Sequence, residues 1–591
     1  MTNSTSWDLS FLEPSEEAFL ADLEQFKSLG AKLGSYQGKL GQPEQLHEAL
    51  ELEKELEKLI NRVYSFAAHR SDLNKKDVNN ASDLAKVQIA LQQFFAQVSY
   101  IDPELIALGE DYLNDYLKAH PEHAEFAFSF KKLFRGQKFV LSADKEALLA
   151  NYSPLLNEGG TLYSQLSVGD YQPKEITLSD GSKVTVSQAN WTDLVAKAKK
   201  AEDRQAIFEA LYSYYETHKN VYGEIYNLTV QSQLSQMKAR GYSSILQTHL
   251  YENAIPEEVF HNLVRVASTH AEPLHRYIEL RRKALGLEHH RSYDRFLQLA
   301  ESEARYTYEE AKDIFFDSLK EFPEDYQQKA REVLKPGYVD VYPADGKRTG
   351  AYSSGGQGIH PIILLNFIGN LEDVFTLAHE SGHSMHTLYA DESQPLMTSN
   401  YTIFVAEIAS TFNEHNLLDY FLKKEGLSKN DKIALLQKAI DQIVSTFYRQ
   451  TLFGHYEYDI SLLAEQGKPI NFQVCSEEMK KLYQQYYGID IGEEKVKEFV
   501  WAYIPHLFYT PFYVYQYATS FTSSMLIYQR VKDKEPGAFE KHIGLLRSGG
   551  SDYPVELVKK AGVDLTTDEP YLAVVRRMEE LVDQLEALLS E

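Results

Sequence analysis

Two histidines and a glutamate at helical spacing, His379-Glu380-Ser381-Gly382-His383, carry the strongest chemical signal in the chain. Residues four apart share one face of a helix, so both imidazoles can turn toward a single ion. Glu380 lies beside the first histidine. It can reach a water on that ion without ligating it, and can take the proton as general base. Zinc suits the pattern because it lowers the pKa of a bound water to roughly 7. By chance the pattern would arise in roughly one chain in twenty of this length and composition, so its surroundings must support it. They do. Asn370 is a good N-cap, Glu372 and Asp373 fill a first turn, and Val374, Phe375, Ala378 and Leu388 supply apolar positions.

A catalytic zinc site needs a third protein ligand and an open fourth position. His386 is nearest in sequence, but seven residues past His379 it lies about 10.5 Å along a straight helix, too far for easy chelation. Structural or supporting duty is the expectation for it. Glu407, in FVAEIASTFNEHN, stands on the next predicted helix, beyond a turn-like segment with Asp391, Ser393, Pro395 and Asn400. The small Ala406 and Ala409 let two helices approach. Glu414, seven residues further on, faces the same way and can orient a ligand. The expected ligands are His379, His383 and Glu407, holding one Zn2+ per chain.

Several elements must place these groups. Apolar periodicity predicts helices over about 371–390 and 403–422, and earlier a helical hairpin over 45–97 with its turn at 71–80. KEITLSDGSKVTVS at 174–187 alternates around Asp180-Gly181, a β-hairpin signal. From 339 to 366 Gly, Ser and Pro cluster ahead of ILLNF, which reads as a glycine-rich loop running into a short strand. That strand is either buried sheet or an exposed edge that pairs with a substrate backbone. Since it runs straight into the HExxH helix, the edge is the expectation. Gly355, Gly356 and Gly358 would let the loop move, and Gly549 and Gly550 would shape a far wall. No long alternation of strand and helix appears, so the fold class is mostly α with a small sheet beside the site.

The 591 residues suffice for a large core, with 43% hydrophobic and 25% charged residues. A net charge of −26 disfavours a nucleic-acid partner, and no basic face is evident for one or for a membrane surface. One cysteine, Cys475, excludes an intramolecular disulfide and suits a reducing cytoplasm. No secretory leader is visible at the N-terminus. Phe499 to Gln529 holds no Asp, Glu, Lys or Arg, yet its prolines, His506 and many hydroxyls make a lipid-facing span improbable. Burial inside the protein is expected.

HESGH, followed 24 residues after its last histidine by the Glu of VAEIAST, resembles the thimet-type oligopeptidases, and within them the oligoendopeptidase F group. GKRTGAYSSGG, PIILLNF, IPHLFYTPFYVYQYATSF and RSGGSDYPVELVKKAGVDL are similar in kind and in order, so the likeness spans roughly 200–585. It implies a clam-like helical shell around a deep channel, in which short peptides are cut and folded proteins excluded. It also implies His379, His383 and Glu407 as zinc ligands and Glu380 as base. His506 matches a family histidine, and Tyr513 and Tyr517 match tyrosines four apart that would bind substrate and the developing oxyanion. A further tyrosine expected three positions on is Ser520 here.

The chain is therefore expected to divide into an N-terminal helical region at 1–110, a helical segment with the hairpin at 111–200, and a catalytic domain at 201–591. The expected activity is metallo-endopeptidase action on short peptides. The alternatives are a metallocarboxypeptidase, for which Arg348 would hold the terminal carboxylate, and a non-catalytic peptide-binding protein.

Overall fold

The structure is a computed structural model that describes residues 5–590 except 157 and 303. Helices dominate. Those that matter below are, in chain order, α1 (Glu16–Gly34), α2 (Pro43–Leu73), α3 (Val78–Val98), α4 (Leu371–Ser393), α5 (Ile403–Lys423), α6 (Arg449–Glu465), α7 (Tyr515–Lys532) and α8 (Ala538–Arg547). The strands are β1 (Lys174–Thr177) and β2 (Lys183–Val186), a hairpin, then β3 (Val339–Asp340), β4 (Tyr352–Gly356) and β5 (Ile359–Leu364). The predicted helical hairpin is α2 and α3, and the predicted β-hairpin is β1 and β2.

Contacts gather the chain into two compact units. One comprises Met1–Lys138, Ala304–Phe421 and Ile527–Gly562; the other comprises Phe139–Glu303, Leu422–Leu526 and Val563–Glu591. In the first unit α1, α2 and α3 interlock through Phe19, Leu23, Phe26, Val63, Phe66 and Val87. Burying each such side chain stabilises by about 1.5–3 kcal/mol before entropy is charged against it. This unit also holds the three-stranded sheet and α4, α5 and α8. The second unit is centred on Leu211, Tyr212, Phe260, Leu263, Leu452 and Tyr456, all essentially without solvent contact.

The sheet corrects one expectation. Strand order is β3-β5-β4, so β5, which carries Ile363 and Leu364 of ILLNF, is the central strand, parallel to β3 and antiparallel to β4. Pro361 to Leu365 are all buried. A run of consecutive apolar residues is what a strand covered on both faces requires, whereas an edge with one solvated face alternates. The outer strands are β3 and β4, and β4 lies inside the stretch expected to be loop. YSSGG lacks the β-branched residues that mark strands, and Gly355 is needed because a Cβ there would lie 2.5 Å from Pro361 Cα.

The uncharged stretch is interrupted at Pro505 and Pro511 and ends in α7, whose residues up to Tyr528 are nearly all buried. Among the described residues no helix is long and apolar enough to cross a membrane.

Candidate active site

α4 starts as its sequence demands. Asn370 Oδ1 accepts the Asp373 N–H at 2.9 Å, and Asp373 Oδ2 accepts the N–H groups of Asn370, Gly369 and Ile368 at 3.0, 2.7 and 2.9 Å. This capping box fixes where the first turn lies, and so the direction in which His379 and His383 point two turns later. α5 crosses α4 at very close range. A Cβ on Gly382 would sit 2.5 Å from Ala409 O and 2.6 Å from Ser410 Cα, so only glycine fits at this crossing. The small residues on α5 are matched by this one on α4.

That approach delivers Glu407 to the histidines. His379 Nε2 and His383 Nε2 are 3.2 Å apart, and Glu407 Oε2 is 3.4 Å from each. Four ligands at 2.0–2.1 Å around a tetrahedral ion would have edges of about 3.3 Å, so the three atoms fit a zinc ion. Ser410 Oγ donates to Glu407 Oε2 at 2.9 Å and steadies it. His379 Nδ1–H donates to Glu414, which leaves Nε2 as the free lone pair. His386 belongs elsewhere. It is buried and stacks on Tyr401 with ring centroids 3.6 Å apart.

The electrostatics follow from burial and neighbours. Burial pushes the His379 imidazolium down, but Glu414 above all, with Glu380 and Glu407, outweighs it and holds the pKa up at about 9. For Glu407 burial pushes upward, while His383 and then His379 pull the carboxyl down to about 2. Glu380 is buried and its pKa is raised, chiefly by that burial, against the pull of both histidines. A carboxylate poised upward is better matched to taking a proton near neutral pH.

The three ligands and Glu380 line a cavity of about 530 Å3 whose other wall is β4, from Tyr352 to Gly356, with Tyr401 and Asn400. Ser353 Oγ and Ser384 Oγ are 2.8 Å apart and tie β4 to α4. The turn after β4 is pinned as well, since Asp391 accepts the N–H groups of Gln357 and Gly358. Gly550 N donates to Thr398 O at 2.8 Å, which places the 549–550 glycines against the segment that carries Asn400.

His506, Tyr513 and Tyr517 form a cluster of their own in the second unit. Tyr513 stacks on His506 at 6.1 Å, and Tyr517 meets Tyr513 edge-on at 5.5 Å. The turn between them is held by buried Glu457, which accepts the Phe512 N–H at 2.7 Å. Burial lowers the His506 pKa. The roles of Gly382, Tyr401 and Glu457 escaped the sequence reading, and Asp391, read there as part of a turn, lies in the last turns of α4. Gly382 alone had a visible signal, because a glycine inside a helix costs about 1 kcal/mol and so marks a packing need.

A half-buried pair of imidazoles with a facing carboxylate, a neighbouring glutamate and a strand-walled cavity defines a metallopeptidase site. The comparisons say which one. The model of Peptidase family M3 matches residues 194–577, and that of Oligopeptidase F matches residues 104–172. Oligopeptidase PepF of Bacillus subtilis is 33% identical over 588 residues, 99% of this chain and 87% of its own length. Group B oligopeptidase PepB of Streptococcus agalactiae is 30% identical over 586 residues, 99% and 97% of the two lengths. A crystal structure from Chlamydophila abortus matches with TM-score 0.90 and 32% identity over 100% of this chain and 99% of that one. Oligoendopeptidase-F from Enterococcus faecium matches with TM-score 0.77 and 27% identity over 97% and 99%. The chain belongs to peptidase family M3, in its oligoendopeptidase F group, and is a metalloendopeptidase.

Proposed function

We propose that the chain is a zinc-dependent endopeptidase that hydrolyses internal bonds of short oligopeptides, with catalysis assigned to residues 201–591. The observation that carries this reading is the triangle of His379 Nε2, His383 Nε2 and Glu407 Oε2, with edges of 3.2, 3.4 and 3.4 Å. A zinc ion held by these atoms would supply a Lewis acid for the scissile carbonyl and acidify a coordinated water.

The chain's own groups do the rest. Glu380 takes the proton from the attacking water and hands it to the leaving amine. Glu414 fixes the His379 tautomer. The substrate backbone pairs with β4 rather than β5, because β4 is an outer strand and the one that lines the cavity. His506, Tyr513 and Tyr517 are assigned to hydrogen-bond substrate and the developing oxyanion, where one donor is worth on the order of 3 kcal/mol. Their family resemblance and their stacking in one cluster support that role. The buried, free Cys475 fits a reducing cytoplasm.

A carboxypeptidase reading loses its anchor, since Arg348 Nη1 donates to Asp72 at 3.1 Å and its guanidinium lies over the Tyr352 ring. The test pairs a peptide blocked at both ends with Glu380→Gln. The wild type should cleave the blocked peptide. The variant should keep its zinc and lose about 10²–10⁴-fold in turnover. Full activity in the variant would end the base assignment, and an uncleaved blocked peptide would end the endopeptidase reading.

A further inference from the structure

The second unit contains a cavity of about 50 Å3 whose wall carries Arg295, Arg449, Lys497, Tyr212, Tyr483 and Tyr487. Arg281 also lines it but is fully occupied. Its guanidinium donates to Tyr277 and to the carbonyls of Asp294, Arg295 and Leu297, and Tyr277 in turn donates to Asp441 at 2.7 Å. The other three cations are answered less fully, Lys497 by a hydrogen bond to Tyr483. Among the described residues none of them forms an ion pair with a carboxylate, and Arg449 Nε is buried with no hydrogen-bond partner. Lys497 is only 7% exposed. Its ammonium lies 5.2 Å from the Tyr483 ring centre and 5.3 Å from that of Tyr212. Glu494, which could have answered it, accepts both the N–H and the hydroxyl of Ser292.

Four cations facing one carboxylate, Asp441, leave a positive excess around this cavity, and such an excess is costly to withdraw from water unless something compensates. The backbone is also bent to present them. Val496, immediately before Lys497, has φ of 62°, a left-handed conformation that a β-branched residue adopts at a cost. Arg449 follows a π-helical turn at Val444–Tyr448, a local irregularity that recurs at functional sites. The same cations crowd Tyr483. Burial would raise its pKa, but Lys497, Arg449 and Arg295 together hold it below the ordinary phenol range. The groups facing the cavity include four cations and several tyrosine hydroxyls, and its carboxylate, Asp441, already accepts from the Tyr277 hydroxyl and from Gln437 Nε2. Planar guanidinium forks match the oxygens of an oxyanion in pairs. Since one water needs about 10–15 Å3 of such space, the cavity has room for a few heavy atoms.

We propose that this cavity binds one small inorganic oxyanion of phosphate size, taken up by the guanidinium groups of Arg295 and Arg449 and the ammonium of Lys497. The anion neutralises the positive excess and relieves the repulsion among the three, so its binding stabilises the folded second unit by mass action. It draws on none of the residues assigned to peptide hydrolysis.

The test is calorimetric titration of the full-length, zinc-loaded protein with inorganic phosphate, with chloride at matched ionic strength as control. One saturable site is expected, with a thermal midpoint that rises with phosphate and not with chloride. Arg449→Gln should weaken phosphate binding at least roughly tenfold while retaining the wild-type zinc content. Lys497→Met should do the same and should also raise the thermal midpoint in anion-free buffer, because it removes a buried charge repelled by Arg295 and Arg449. Absence of saturable binding, an equal response to chloride, or unaltered affinity in Arg449→Gln would overturn the proposal. So would the red-shifted absorbance of one tyrosinate at neutral pH that disappears in Tyr483→Phe, since Tyr483 would then supply the missing negative charge itself.

Discussion

Glu414 decides what kind of ligand His379 can be. By accepting the proton on Nδ1 it commits Nε2 to the metal and makes that nitrogen more basic. Glu414→Gln should therefore weaken zinc binding by about 10–100-fold in a chelator competition while leaving secondary structure unchanged. The same residues set the pH response of the metal-free protein. Glu407, depressed to about 2 from 4.5, contributes stability above the higher value that is lost as pH falls through the lower. His379, raised to about 9 from 6.5, contributes stability below the lower value that is lost as pH rises through the higher. Thermal midpoints of the metal-free protein should accordingly be highest between those ranges and decline on both sides. With zinc added the alkaline decline should shrink, because metal and proton compete for His379. At this scale the HExxH face, Glu407 and Glu414 were legible from spacing alone. Tyr401 was not, since one tyrosine among 40 carries no mark of its neighbours until the chain has folded.

At the scale of elements, the site depends on how closely α5 crosses α4. Gly382→Ala places a methyl against the backbone of Ala409 and Ser410, which cannot swing aside as a side chain would. The helices must part. We expect a loss of about 1–3 kcal/mol in stability and weaker zinc binding, measured by thermal denaturation and chelator competition. Unchanged values for both would show that the crossing is looser than the structure has it. Helix positions and the N-cap of α4 could be read in advance because they rest on local periodicity and on one side chain. The sheet could not be read. β4 has the composition of a loop and becomes a strand only because β5 beside it is already buried and needs a partner. ILLNF announced a strand but not its place, since a fully apolar run says only that both faces are covered.

At the scale of the whole molecule, each of the two units is assembled from three separated segments. Nothing in the local pattern tells residues 304–421 to pack with 527–562, because that choice rests on complementarity between surfaces hundreds of residues apart. The charge balance, by contrast, is plain in the sequence. A net charge of −26 should draw cationic peptides toward the protein and slow anionic ones. We expect kcat/KM for a lysine-rich peptide to fall several-fold between about 0.01 M and about 0.1 M ionic strength, while a neutral peptide changes little. Equal behaviour of the two peptides would mean that the surplus lies away from the path of approach. The most direct measurement of all is anomalous diffraction at the zinc edge from crystals grown with stoichiometric zinc. We expect one peak within about 2.0–2.1 Å of His379 Nε2, His383 Nε2 and a Glu407 carboxylate oxygen. A peak placed instead at the more exposed His47, His120 and Glu122 group, with none between His379 and His383, would contradict the assignment outright.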